Sequence, residues 1–148
     1  MKREIKFRGK DVETDKWVDG DLIQRMGYMP SIMFPYNSNG KVRYGECAVK
    51  RETVGQFTGL TDKNGNEIYE GDILRGDKYP FNCDGVDNYF AEIVWSDDVC
   101  GFYRITIKNP NSTVRGTSHG NWEQLDIDDI KSFEVIGNIH DNPELLKD

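Results

Sequence analysis

The chain has 148 residues, of which 36% are hydrophobic, 11% aromatic and 30% charged, with a net charge of −7. That is one ordinary domain or two small ones, able to bury a core without disulfide or metal, and too aromatic to be disordered. The acidic balance argues against an ordinary nucleic-acid binder, whose affinity comes from Lys and Arg on phosphates.

Period-2 patterns dominate in chain order. Ile5 and Phe7 alternate with Glu4, Lys6 and Arg8, which predicts an opening strand with one wet face. Trp17-Val18 and Leu22-Ile23 flank Asp19-Gly20-Asp21 and predict two strands around a tight turn. Residues 35–41 have turn chemistry, and Val42 to Val49 predicts a strand. Asn64-Gly65 predicts a turn opening onto a strand near Ile68, because Gly accepts positive φ and Asn tolerates it better than most.

Polar loops are expected over 76–88 and 109–121, with strands at Tyr89–Trp95 and Val99–Lys108 between them. In the latter, Tyr103, Ile105 and Ile107 point one way, and Arg104, Thr106 and Lys108 the other. Leu125, Ile127, Ile130 and Phe133 fit either a strand or one helical turn. Residues 134–140 read as a closing strand. Asn142-Pro143-Glu144 then predicts a short terminal helix, with Asn142 as N-cap.

Charge is uneven along the chain. Residues 1–74 carry 12 Lys+Arg and 12 Asp+Glu, whereas residues 75–148 carry 7 and 14. Cys47, Cys83 and Cys100 are widely spaced with no CxxC pair, which disfavours structural zinc and suits a reducing cytosol. The first ten residues lack the apolar core of a signal peptide, and no apolar run approaches the length of a membrane span. A cytoplasmic location is therefore expected.

Three segments carry a family resemblance: the opening REIKFRG (3–9), the central VGQFTGLTDKNGNEIYEGDIL (54–74) and the closing EVIGNIHDNPELL (134–146). Together, in this order, they resemble the YopX-like family of phage and prophage proteins over nearly the whole chain. The strand patterns predict an all-β chain with an N-terminal β module over 1–62 and a short C-terminal helix. The resemblance implies an SH3-like β-barrel over 63–148. Three positions depart from the family pattern: Gly9 and Lys10, where an aromatic and Ala are frequent, and His140, where Tyr is common. The resemblance implies a bacterial host cell as the setting, and it carries no catalytic residue.

Several motifs are weighed against plainer readings. Asp62-Lys63-Asn64-Gly65-Asn66 begins like a calcium loop, but the sixth position is Glu67 and the twelfth Ile73, so a plain turn is preferred. Asp126, Asp128 and Asp129 are a candidate divalent-metal cluster, against a solvated face broken by Ile127 and Ile130. Cys83 or Cys100 with His119 or His140 is a candidate nucleophile pair without a local signature. Trp17, Trp95 and Trp122, with Tyr89, Phe90, Phe102 and Tyr103, are a candidate base-stacking surface, against core packing. The Asn111-Ser112-Thr113 sequon is discarded because nothing suggests secretion.

The expectation is a phage or prophage accessory protein with no catalytic, metal or cofactor residues. It binds a host or phage protein and forms a homo-oligomer through exposed strand edges. The alternatives are a nucleic-acid-associated or DNA-mimicking regulator, which bulk charge disfavours, and then a metal-dependent enzyme.

Overall fold

The computed structural model describes residues 2–76, 89–108 and 122–146. The protein is all-β, and its described strands form two antiparallel sheets. The chain divides into two compact units, Met1–Gly59 and Leu60–Asp148.

The first unit is built on β1 (Phe7–Lys10), β2 (Trp17–Ile23), β3 (Ser31–Ser38), β4 (Lys41–Ala48) and the start of β5 (Gly55–Thr61). With β6 (Glu67–Tyr69), these strands follow the order β4-β3-β2-β1-β5-β6. The short connections explain the order, since consecutive antiparallel strands need only tight turns. Ile32, Val49 and Phe57 are its buried apolar side chains. Val49 packs directly over Gly9, where an added Cβ would lie 2.9 Å from the valine side chain.

Two expectations are corrected here. Residues 17–23 are one continuous strand, because Gly20 at φ 155° lies against the backbone carbonyl of Met33 and lets β3 approach. Residues 35–38 belong to β3 rather than to a loop, and only Asn39 and Gly40, at φ 52° and 75°, make the turn into β4. Two successive positive φ values match the right-handed twist of paired strands.

The second unit holds β7 (Asp72–Gly76), β8 (Tyr89–Ser96), β9 (Gly101–Lys108), β10 (Trp122–Gln124) and β11 (Phe133–Asn138). Their order is β10-β9-β8-β7-β11, an open sheet with β10 and β11 at its margins. A bulge between Val135 and Gly137 bends β11 against β7. One face buries Ile68, Leu74, Ala91, Ile93, Ile130 and Phe133. The undecided stretch after β10 is a single helical turn, α1 (Ile127–Ile130), which carries Ile130 into that core. Residues Pro143–Leu146 form a 3-10 turn. The Asn142 side chain turns back to accept from the Asn138 N–H at 3.3 Å.

Strand β9 presents an unexpected face to the core. Arg104 is 2% exposed, whereas Tyr103 and Ile105 are half-buried. Its guanidinium lies 4.9 Å from the centre of the Phe133 ring and pairs with Glu123 on β10. The alternation along β9 is as the sequence has it; the side of the basic residue faces inward because Glu123 and Phe133 compensate its charge there.

Candidate functional site

The β3–β4 hairpin is the most exposed regular element among the described residues of the first unit. Its base is fixed. Glu46 accepts from Arg25 Nη1 and from Ser31 Oγ, each at 2.6 Å, and these bonds hold its carboxyl below the ordinary range, Arg25 first. Phe34 crosses the strand pair and lies over Gly45, whose added Cβ would sit 2.8 Å from the ring. This aromatic cover replaces the side chain that Gly45 lacks.

Beyond that base no third strand pairs with the hairpin among the described residues. Strand β2 pairs with β3 only at Ser31, Ile32 and Met33, while β3 and β4 remain paired from Ser31↔Ala48 to Ser38↔Lys41. Residues 34–38 and 41–45 are therefore a two-stranded ribbon roughly 17 Å long. Pro35 sits there without disturbing a ladder on the β2 side, where none exists. Tyr36, Val42 and Tyr44 are 46%, 66% and 67% exposed. In register, Val42 and Tyr44 share one face with Asn37 and Pro35, and Arg43 shares the other with Tyr36. Lys41 and Arg43 are exposed and make no ion pair among the described residues. No Asp or Glu occurs from Leu22 to Gly45.

At the foot of the ribbon, the β2–β3 connection encloses an open cleft of about 370 Å³, lined by Arg25, Met26, Tyr28 and Arg51 among others. Arg51 donates to the Tyr28 carbonyl at 3.1 Å, which fixes the loop, and Met26 is 98% exposed.

In the second unit, the turn between β8 and β9 forms a different surface. Trp95 and Phe102 meet edge to face at 5.0 Å, and Trp95 Nε1 donates to Asp97 at 3.0 Å. The Leu125 N–H donates to the Phe102 carbonyl, which brings Asp126, Ile127 and Asp128 beside this turn. Asp97, Asp98, Val99 and Ile127 are all exposed there. Sequence reasoning weighed Asp126, Asp128 and Asp129 as metal ligands. In the structure Asp126 accepts from the Asp128 N–H at 2.7 Å, and Asp128 pairs with Lys131 at 3.0 Å. Among the described residues no group of three or more His, Cys, Asp or Glu is arranged to hold a metal.

The other candidates fall as follows. Asp62 is 5% exposed and is the centre of a turn. One carboxylate oxygen accepts from the N–H groups of Asn64 and Asn66, and the other from the Asn66 side chain and the Val135 N–H, all between 2.8 and 3.1 Å. Burial pushes this acid up, but the bonds from Val135, Asn66 and Asn64 outweigh it and hold it below the ordinary value. Its lone pairs are directed at donors of its own loop and of β11, so it binds structure rather than calcium. Cys100 sits at φ 51° in the β8–β9 turn with its thiol on the Asp97 carbonyl, while His140 follows β11, and no contact joins them. Cys83, His119 and the Asn111 sequon lie outside the described residues.

The aromatic residues do not share one platform. Trp17 lies under Arg8 and Lys10, at 4.5 and 5.6 Å from its ring centre. Trp95 and Phe102 occupy one face of the second sheet, and Trp122 with Tyr103, 6.2 Å apart, the other. Phe90 is half-buried on β8, beside Tyr89. The ribbon was missed in the sequence because residues 35–41 read as turn chemistry throughout.

Comparison with known proteins gives two findings. The family model described as YopX protein matches residues 6–147. A solved crystal structure, that of protein EF1440 from Enterococcus faecalis, is similar with a TM-score of 0.58 and 25% identity, over 98% of this chain and 99% of that one. No curated protein matches the chain.

Proposed function

The chain belongs to the YopX protein family, and from that premise we propose that it is a non-catalytic protein-binding module that self-associates. The observation that supports this most directly is the ribbon. A free two-stranded ribbon is marginal in water, and this one leaves strand edges open on both sides beyond Met33 with Tyr36, Val42 and Tyr44 in solvent. Such an edge is a template for another strand or an apolar surface. The second unit we read as SH3-type: five antiparallel strands bent by a bulge over one core. The family resemblance suggests a phage or prophage accessory role in a bacterial cytoplasm, with a host or phage protein as a further partner.

Light scattering after gel filtration over a hundredfold dilution tests the reading. A mass above 17 kDa that falls on dilution is the expected result. A monomer at every concentration rejects it.

One observation favours a second reading. The acid-free segment 22–45 with Lys41 and Arg43 at its tip makes the ribbon locally basic, and a two-stranded ribbon fits a DNA major groove. A salt-sensitive mobility shift of a short duplex would favour that reading over the first.

A further inference from the structure

The net charge of −7 conceals a division that follows the two units. Met1–Gly59 carries 11 Lys+Arg against 8 Asp+Glu, a net +3; Leu60–Asp148 carries 8 against 18, a net −10. Each unit also places charge of its own sign on exposed apolar ground. On the ribbon, the unpaired Lys41 and Arg43 stand among Tyr36, Val42 and Tyr44. At the β8–β9 turn, Asp97, Asp98 and Asp126 stand beside Trp95, Val99 and Ile127, which are 38%, 56% and 60% exposed.

We propose that the ribbon of one copy docks on the β8–β9 end of the second unit of another copy, head to tail. This rests on the self-association reading and assigns its two surfaces. Charge decides the partner. An exposed apolar ribbon bearing only positive charge is matched by an apolar surface of net negative charge, where Asp97, Asp98, Asp126 and Asp128 outnumber Lys131, and each copy supplies both. The apolar side chains provide buried area, and the opposite charges provide orientation and exclude ribbon-to-ribbon pairing, where Lys41 and Arg43 would face their own kind. Such a contact is heterologous, so copies add until a ring closes.

Full-length protein and three variants test this by sedimentation velocity at physiological salt. The variants are Lys41→Glu/Arg43→Glu, Asp97→Lys/Asp98→Lys, and the chain that combines all four changes. Each pair alone should weaken association by about tenfold or more, because two attractions become repulsions. The combined variant should recover it, which a merely misfolded chain cannot do. A wild-type protein that is monomeric throughout overturns both this inference and the self-association reading. A wild-type oligomer that Asp97→Lys/Asp98→Lys leaves intact overturns this inference alone. If Lys41→Glu/Arg43→Glu abolishes retention of a DNA duplex but leaves association unchanged, the ribbon is a nucleic-acid surface and the inference is likewise overturned.

Discussion

Asp62 shows how one buried carboxylate organises a turn. Four donors converge on it, one of them from β11, 73 residues away in sequence. Replacing it with Ala leaves the Val135 N–H and the turn amides without their acceptor, at a cost of about 2–4 kcal/mol. The acid is held below its ordinary value, so its contribution is present above the ordinary carboxylate range and is lost as pH falls through the depressed value. Urea titrations should therefore show a large gap between wild type and Asp62→Ala at pH 7 that narrows in strong acid; an unchanging gap would argue against this assignment. Gly65 in the same turn has φ 83° with open space around its Cα. Gly65→Val should cost about 1–2 kcal/mol from backbone strain alone, and Gly65→Ala less. Equal stability of the Val variant in the same titrations would refute it.

At the scale of the element, β8 carries an acid in an apolar setting. Glu92 lies in register between Ile73 and Ile105, and no partner meets its carboxylate among the described residues. Burial pushes its pKa up. A carboxyl raised on folding opposes stability once pH exceeds its raised value, and the penalty disappears as pH falls below the ordinary one. Glu92→Gln should thus raise the urea midpoint at pH 7 and have little effect near pH 4. A variant less stable than wild type at pH 7 would show that the carboxylate has a partner. The neighbouring strand gives the opposite case. Arg104 is buried but matched by Glu123 and Phe133. Arg104→Ala removes packing and strands Glu123, with an expected loss of about 2–4 kcal/mol by thermal or chemical denaturation.

For the whole molecule, the two units differ in core as well as in charge. Among the described residues the second packs a cluster of six apolar residues at 0–1% exposure, while Ile32, Val49 and Phe57 serve the first. A domain near 60 residues buries only about 60% of its unfolded surface and is marginal. Residues 60–148 expressed alone should give a cooperative melt, and residues 1–59 alone should not. A cooperative transition for the shorter piece would mean that its sheet is self-sufficient. Among the described residues no helix is long and apolar enough to cross a membrane.

Much of this was legible in the sequence. Alternating side chains specify strands locally, and Asn64-Gly65 specifies its turn, because both depend on backbone preferences within a few residues. The family segments together indicated the family. What the sequence left open depends on neighbours distant along the chain. Gly20 reads as a turn residue until Met33 is placed against it. Residues 35–38 read as loop until β4 pairs with them. The alternation in β9 gives two faces but not which one is buried, since that depends on Glu123 and Phe133 arriving from other strands. Charge counted along the chain was neutral over residues 1–74. Only the tertiary boundary at Gly59 separates a basic unit from an acidic one, because electrostatic character belongs to surfaces that folding gathers rather than to stretches of sequence.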